Sequence, residues 1–148
     1  MKISTKGRYG LRALLDLAVY SKDDSITLAS IAERQEISVG YLEQIFSSLR
    51  KANLVIGTKG PQGGYVLAQP ADKISIQNAL DVLEGDLFTI NEDKVEAPDA
   101  VLMQDAIRNM VWNRILETAV SALQGLKLCD LVEVYKELKN KDNFIYNI

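Results

Sequence analysis

The sequence predicts a mainly α-helical fold that contains one small β-hairpin. Three features of the 148 residues predict it: two short helical segments that lie close together, a glycine-rich tip joining two alternating segments directly after them, and a long apolar helical segment in the second half. The hydrophobic fraction of 47% and the charged fraction of 25% are near the averages of folded globular proteins. The chain therefore has room for one compact domain and a modest appendage.

The first predicted helix covers residues 5–20, and Thr5 is its expected N-cap. Its apolar residues recur at helical spacings: Leu11, Leu14, Leu15 and Ala18. Three cations, Lys6, Arg8 and Arg12, lie on its early turns, where positive side chains oppose the helix dipole. We expect them to serve an external partner; the alternative is a solvated helix face.

Two short helices separated by a tight turn are predicted next. Thr27 is the expected N-cap of one, and Ser38 is that of the other, over residues 39–53. Four apolar residues of the second helix face inward: Leu42, Ile45, Phe46 and Leu49. Its outward face carries polar side chains: Tyr41, Gln44, Ser47 and Ser48. A serine-capped helix with such a face, directly after another short helix, is typical of a helix-turn-helix.

The hairpin follows this second helix, with strands at residues 54–59 and 65–68. Its tip, GPQGG, contains Gly60, Gly63 and Gly64, which let backbone amides approach phosphates because no Cβ intervenes. With Lys59 at its approach, the hairpin matches the wing of a winged helix, although a generic surface hairpin would look similar in isolation. The tip is not a nucleotide-binding loop, because it lacks the GK[ST] ending and opens no helix.

The second half of the chain is predicted to contain three more helices. The first is capped by Ser75 and closed by Gly85, and residues 86–98 form a connecting loop. A long helix over residues 99–123 and a last helix over residues 127–141 follow. The predicted division is therefore a winged helix-turn-helix domain at 1–85, a loop at 86–98 and a dimerisation region at 99–148.

The long helix carries apolar residues on more than one face. Its own domain can cover one apolar stripe, so a second stripe predicts another partner, and a second copy is the most economical one. The predicted dimer contacts are Ile107, Met110, Val111, Ile115 and Ala119. A helix wholly buried within a monomer is the alternative.

Charge is divided unevenly along the chain. Residues 1–70 carry nine Lys and Arg against six Asp and Glu, a net +3, whereas residues 71–148 carry eight against fourteen, a net −6. The basic part would attract a polyanion, and the acidic part would face away from one. Chance asymmetry is the alternative.

Composition also excludes several classes of function. Histidine is absent, which removes the commonest general base and the commonest metal ligand, so we expect no enzymatic activity and no bound metal. The single cysteine, Cys129, fits a reducing compartment, and its apolar neighbours favour a buried hydrophobe over a redox-sensing thiol. No segment has the length of a membrane span or the pattern of a secretory signal, so a cytoplasmic protein without membrane contact is expected.

Three segments together resemble a known family: MKISTKGRYGLRAL, LASIAERQEISVGYLEQIFSSLRKANLV and KGPQGGYVL, in that order. They resemble the Rrf2 family of bacterial winged-helix transcription regulators, closely over about the first 85 residues. The resemblance implies that the YLEQ helix enters the DNA major groove and that Tyr41, Glu43 and Gln44 contact the bases. It places Lys6, Arg8 and Lys59 on phosphates. The other candidate DNA contacts are Ser38, Ser47, Ser48, Arg50, Gly60, Gly63, Gly64 and Tyr65.

The resemblance also bears on cofactors. Members that bind an iron–sulfur cluster carry three closely spaced cysteines just after the fourth helix, and this chain has none there. The chain therefore resembles the cluster-free, CymR-like branch, in which a partner protein or a small effector can set activity. We predict a cofactor-free homodimeric repressor that binds an imperfect palindrome in double-stranded DNA. The alternative is a winged-helix module that binds a regulatory protein partner.

Overall fold

The computed structural model describes residues 2–61, 63–85 and 87–146, with the backbone alone at 144 and 146. Its helices are α1 (Thr5–Tyr20), α2 (Leu28–Gln35), α3 (Val39–Lys51), α4 (Ile76–Glu84), α5 (Pro98–Ile107), α6 (Asn113–Leu123) and α7 (Leu128–Tyr146). Strands β1 (Val55–Thr58) and β2 (Gly64–Leu67) pair antiparallel, and a 3₁₀ turn spans Ala71–Lys73. The predicted mainly helical fold with one hairpin is confirmed.

Local capping chemistry sets the helix starts. Thr27, Ser38 and Ser75 accept hydrogen bonds from backbone amides three residues later, as predicted. The prediction for α1 was wrong by one residue, because Ser4 and not Thr5 is its N-cap. Glu84 of α4 accounts for the shift: its Oε1 accepts from the Ser4 backbone amide at 3.0 Å and from the Ser4 hydroxyl at 2.9 Å, which holds Ser4 outside the helix.

The turn between α2 and α3 is short and tightly held. Glu36 adopts a left-handed conformation (φ 55°, ψ 45°), which reverses the chain at the end of α2. Ile37 then inserts into the core with 4% of its surface exposed, and Ser38 starts α3. The two helices are therefore fixed relative to each other by one buried side chain and one cap.

One hydrophobic core joins α1, α2, α3, α4 and the base of the hairpin. Its fully buried members from the first three helices include Leu14, Leu17, Ile31, Leu42 and Phe46. From α4 it takes Ala79, Leu80 and Leu83. The core orients α3 so that its opposite face remains in contact with solvent.

The start of α7 also belongs to this core. Leu128 is fully buried, and its backbone amide donates to the carbonyl of Ile74 at 2.9 Å. The Ile76 amide in turn donates to the carbonyl of Leu126 at 3.0 Å. After α4 the chain thus leaves the core through α5 and α6 and returns to it at the start of α7. Helix α7 then packs along α1.

A continuous helical segment runs from Pro98 to Leu123, and we call it the long helix. It begins at Pro98 and not at 99, because proline is well suited to the first helical position, where its missing N–H costs nothing. A π-helical turn at Arg108–Trp112 joins α5 to α6 without a break in helical backbone angles. Among the described residues, no helix is long and apolar enough to cross a membrane.

The loop before the long helix is fastened to it by polar contacts. The Arg108 guanidinium lies 2.6 Å from Glu92 Oε2 and 2.6 Å from Asp105 Oδ1. The side-chain amide of Gln104 donates to the backbone carbonyl of Asp93 at 2.8 Å. Hydrogen bonds to Glu92 and Asp105 raise the pKa of Arg108, which keeps its side chain charged.

A buried carboxylate ties α1 to α2. The Asp16 side chain is fully buried and accepts two hydrogen bonds from Arg34, at 2.8 and 2.9 Å, and one from the Gln35 side-chain amide at 2.9 Å. The bonds to Asp16 raise the pKa of Arg34, whose guanidinium also lies 4.3 Å from the centre of the Tyr20 ring. Three donors thus compensate the desolvation of one acid.

Replacement of Arg34 by methionine is expected to destabilise the fold by about 3 kcal/mol, because it leaves a buried carboxylate without its cation. The loss is not larger, because Gln35 still donates a hydrogen bond to Asp16. Chemical denaturation measures the loss, and Lys94→Met is the matched control, since Lys94 forms only an exposed ion pair with Glu96. Equal denaturation midpoints for the two variants would contradict the assigned role of Asp16.

Candidate nucleic-acid interface

The solvent side of α3 presents the predicted polar face. Glu43, Gln44 and Arg50 are exposed, and Ser47 and Ser48 are half-buried. Ser38 is exposed at the start of the helix, but its hydroxyl oxygen already accepts from the Tyr41 amide at 3.2 Å. The free hydrogen-bonding groups of this face are therefore those of Glu43, Gln44 and Arg50.

Helix α1 lies beside α3 and extends this face. Lys6 Nζ donates to Ser48 Oγ at 2.8 Å, so the ammonium group sits at the edge of the polar face of α3. The rings of Tyr9 and Tyr41 meet edge to face, with centroids 5.8 Å apart. Tyr41 is consequently half-buried against α1, and its ring helps to fix the angle between the two helices.

Two arginines surround Tyr9. The guanidinium carbons of Arg8 and Arg12 lie 5.9 and 5.2 Å from the centre of its ring. Arg12 also donates to the backbone carbonyl of Gln35 at the end of α2. The sequence indicated Arg12 as a cation for an external partner but did not place it among the DNA contacts, and it missed Tyr9.

The cations of α1 are not neutralised by neighbouring acids. Within the described residues, the ion pairs are formed by Arg34, Lys94 and Arg108 and involve none of Lys6, Arg8 and Arg12. Three uncompensated positive charges therefore border the polar face of α3. Such a surface has the electrostatic character that attracts phosphate oxygens.

The wing consists of β1, β2 and the tip between them, in which Gln62 lies outside the described residues. Lys59 and Gly60 are exposed at the tip, and Gly60 has φ of 105°, a conformation that glycine adopts without strain. The tip is closed by the Gly63 amide, which donates to the Gly60 carbonyl at 2.8 Å. Lys59 is thus carried on a short, internally bonded turn.

Two of the predicted wing residues, both on β2, contact the rest of the domain. Tyr65 packs on Phe46 of α3, with ring centroids 4.8 Å apart, and exchanges backbone hydrogen bonds with Ile26 at 2.7 and 2.9 Å. At Gly64, an added Cβ would lie 2.5 Å from the carbonyl oxygen of Ile26. These contacts seat the wing against α3 and the segment before α2.

The predicted dimer residues lie on the solvent side of the long helix. Exposed fractions are 45% for Ile107, 61% for Met110, 41% for Val111 and 46% for Ile115, and Ala119 is half-buried. Leu102 and Met103, at 67% and 60%, extend the apolar face toward the start of the helix and were not among the predicted contacts. An apolar face of this size on one helix is unusual for an isolated protomer.

Comparison with known proteins places these surfaces in a family context. Residues 3–134 match the family model Rrf2, described as an iron-dependent transcriptional regulator. The chain is 36% identical to the HTH-type transcriptional regulator IscR of Yersinia pestis over 138 residues, which cover 89% of this chain and 79% of that protein.

Solved structures agree with this match. The structure of CymR, the global cysteine regulator of B. subtilis, superposes with a TM-score of 0.74 at 37% identity, covering 90% of this chain and 98% of that one. IscR of T. potens superposes with a TM-score of 0.71 at 35% identity, covering 93% and 90%. All of these relatives are named as regulators.

The residues of this chain do not fit an iron–sulfur cluster, although the family description names iron. Such clusters are held by cysteine thiolates and sometimes histidine, and the whole sequence contains one cysteine and no histidine. Cys129 is half-buried at the start of α7, with its Sγ 4.0 Å from Asp130 Oδ1. In the described part of the chain, no three His, Cys, Asp or Glu side chains are placed to hold a metal ion.

Gly64→Ala is expected to destabilise the protein by about 1–3 kcal/mol, because its methyl group would displace either β2 or the Ile26 carbonyl. Gly57→Ala is the matched control on the facing strand, where an added Cβ would meet only the Tyr65 ring at an ordinary 3.5 Å. Thermal unfolding of both variants measures the difference. A melting temperature for Gly64→Ala at or above that of Gly57→Ala would show that the wing is not seated on Ile26.

Proposed function

The chain belongs to the Rrf2 family of transcriptional regulators, and from this premise we propose that it is a homodimeric repressor that binds an imperfect palindrome in double-stranded DNA. The observation that carries the proposal is the contact between Lys6 Nζ and Ser48 Oγ at 2.8 Å, which brings the unpaired cations of α1 to the edge of the polar face of α3. A groove-reading helix bordered by phosphate-binding cations is what specific DNA binding requires.

In the proposed complex, α3 enters the major groove. The Gln44 amide is suited to the paired acceptor and donor of an adenine edge, and the Glu43 carboxylate can accept from a cytosine amine. Tyr41, Ser38, Ser47, Ser48 and Arg50 then lie along the groove walls. Specificity comes chiefly from Glu43 and Gln44, because they are exposed and their side chains match base edges.

Cations on either side of α3 would hold the two sugar–phosphate backbones. Lys6 and Arg8 serve one side from α1, and Arg12 joins them through its place beside Tyr9. Lys59 serves the other side from the wing tip, where Gly60 and Gly63 allow the backbone to approach closely. Because lysine lacks the planar fork of arginine, Lys59 is expected to contact phosphates more than base edges.

The second copy is proposed to dock on the exposed apolar face of the long helix. Two-fold pairing would cover Ile107, Met110, Val111 and Ile115 on both protomers. It would also present two α3 helices to successive major grooves, about 34–36 Å apart, which accounts for a palindromic site. We propose that this dimer is controlled without an iron–sulfur cluster, since the thiolates are lacking.

Selection from a random duplex pool by the purified protein is expected to enrich an imperfect palindrome. On the selected duplex, Gln44→Ala should lose about 1–3 kcal/mol of discrimination at one base pair of each half-site. Lys59→Ala should weaken all duplexes alike and lower the slope of log affinity against log salt by about 0.9 for each phosphate that the side chain no longer neutralises. Titrations at several salt concentrations separate the two effects.

Lys94→Ala is the matched control for charge, because Lys94 is exposed on the loop before the long helix and is not one of the proposed DNA contacts. It should leave both affinity and salt slope unchanged. If the pool shows no enrichment and the purified protein has no salt-dependent affinity for duplexes, the winged helix serves a protein partner and the DNA proposal is wrong.

The dimer is tested separately by sedimentation velocity. Met110→Lys is expected to convert a dimer into a monomer, because it would bury two ammonium groups in an apolar interface. Loss of the dimer should also weaken binding to the palindrome. Ile56→Lys, which places a lysine at an equally accessible apolar position on β1, should sediment as the unchanged protein does. A Met110→Lys variant that remains dimeric would rule out this face of the long helix.

A further inference from the structure

A cavity of about 520 Å³ lies between the beginning of the chain, the loop after α4 and the long helix. Its volume falls within the range of small-molecule sites, about 300–1,000 Å³. None of the DNA-contact candidates lines it. The walls come from three parts of the sequence, so the cavity exists only in the folded chain. The lining residues are Lys2, Glu84, Leu87, Thr89, Ile90, Trp112, Ile115 and Leu116, of which Ile115 is also a proposed dimer contact.

One wall of the cavity is apolar and carries the single tryptophan of the chain. Trp112 ends the π-helical turn of the long helix, and Leu116 follows one turn later. Leu87 and Ile90 face them from the loop. π-Helical turns within α-helices are rare and are frequently found at functional sites. This wall suits the side chain of an apolar ligand.

The cavity also presents two opposite charges that are not joined to each other. Lys2 forms no ion pair or hydrogen bond within the described residues, and no lysine nitrogen lies within 4.0 Å of the Glu84 carboxylate there. Glu84 Oε1 accepts both hydrogen bonds from Ser4, whereas Oε2 takes part in neither. An ammonium and a carboxylate oxygen thus remain available on the same cavity.

We propose that this cavity binds a free α-amino acid with an apolar side chain. The ligand carboxylate would meet Lys2, the ligand ammonium would meet Glu84 Oε2, and the side chain would lie against Trp112 and Leu116. A zwitterion pairs with both protein charges at once, whereas a simple anion or cation pairs with only one of them.

Glu84 links this cavity to the DNA-binding surface. Its Oε1 holds Ser4, whose own Oγ accepts from the Gly7 amide at 3.1 Å and so caps α1. The first turn of α1 carries Lys6, which bonds Ser48 of α3. An amino acid that draws Glu84 toward its ammonium would alter the cap and the position of Lys6. This coupling rests on the proposed DNA binding, but occupancy of the cavity does not.

Occupancy is measured directly by the fluorescence of Trp112, since no other tryptophan contributes. L-leucine and L-methionine are expected to shift its emission saturably with a Kd of about 1 mM or below. N-acetyl-L-leucine lacks the ammonium and L-leucinamide lacks the carboxylate, so each should bind about tenfold more weakly or worse, as the loss of one charged hydrogen bond predicts. L-aspartate, which has no apolar side chain, should not bind.

Two variants test the assigned contacts. Lys2→Gln should weaken L-leucine binding but leave the already weak binding of L-leucinamide unchanged. Glu84→Gln should weaken L-leucine binding and leave N-acetyl-L-leucine unchanged, and its amide oxygen can still accept from Ser4, so the cap of α1 is retained. Lys94→Gln is the charge control and should bind L-leucine normally. Thermal unfolding establishes that each variant is folded before it is titrated.

The outcomes separate this inference from the proposed function. A saturable Trp112 shift that follows the expected order of ligands supports the site even if no DNA is bound. On the selected duplex, L-leucine should then change affinity by about fivefold or more, and the change should vanish in Glu84→Gln.

The proposal is overturned if the Trp112 emission changes with protein concentration but with none of the amino acids up to about 10 mM. Such a result would mean that a second copy of the chain fills the cavity. Ile115 borders the cavity and is 46% exposed, so it is accessible to that copy. Equal binding of L-leucine and its two derivatives would also overturn it, because neither charge would then be recognised.

Discussion

The fold depends on the burial of helix α1. Its residues Ala13, Leu14 and Leu17 are fully buried, and α2, α3, α4, β2 and α7 all pack against this helix. Fully burying a leucine side chain contributes about 1.5–3 kcal/mol, so Leu14 and Leu17 alone stabilise the domain by several kcal/mol. Two glycines make the packing close enough: an added Cβ at Gly10 would lie 2.5 Å from Leu83, and one at Gly7 would overlap the Glu84 carboxylate. Because α1 contacts all of these elements, a displacement of its first turn would be transmitted to α3, to the wing and to the end of α4.

Polar contacts then decide the orientation that apolar packing alone leaves open. Asp16 and Arg34 fix α2 against α1, and the Tyr9–Tyr41 contact fixes α3 against α1. On the far side, the hydroxyls of Tyr20 and Tyr135 lie 3.2 Å apart and join α1 to α7. This hydrogen bond raises the pKa of Tyr20 and lowers that of Tyr135, and Lys139 lowers the latter further.

The sequence was informative wherever structure is determined by near neighbours. The caps Thr27, Ser38 and Ser75 act within three residues, and the inward face of α3 follows from helical spacing, so both could be predicted. The cap of α1 could not, because Glu84, 80 residues away, selects Ser4 over an equally suitable Thr5. Asp16 reads as a surface acid of an amphipathic helix, and only the fold reveals three donors around it. The π-helical turn leaves no mark on the apolar spacing, and the Tyr9–Tyr41 contact depends on how α1 packs against α3.

Residues of the long helix face both the proposed second copy and the chain's own domain, and both kinds of residue occur at its π-helical turn. At the start of the turn, Arg108 binds Glu92 of the preceding loop, while Ile107 and Met110 remain exposed for a second copy. At its end, Trp112 turns back toward the chain's own N-terminal segment and lines the cavity with Glu84. A regular α-helix has one period, so residues that face a partner and residues that face the parent domain keep a fixed angular relation along it. One widened turn changes that relation by a fraction of a turn. In the proposed dimer, a change at Trp112 would therefore reach both the partner through Met110 and the cap of α1 through Glu84, which is the arrangement that a ligand-controlled DNA-binding dimer needs.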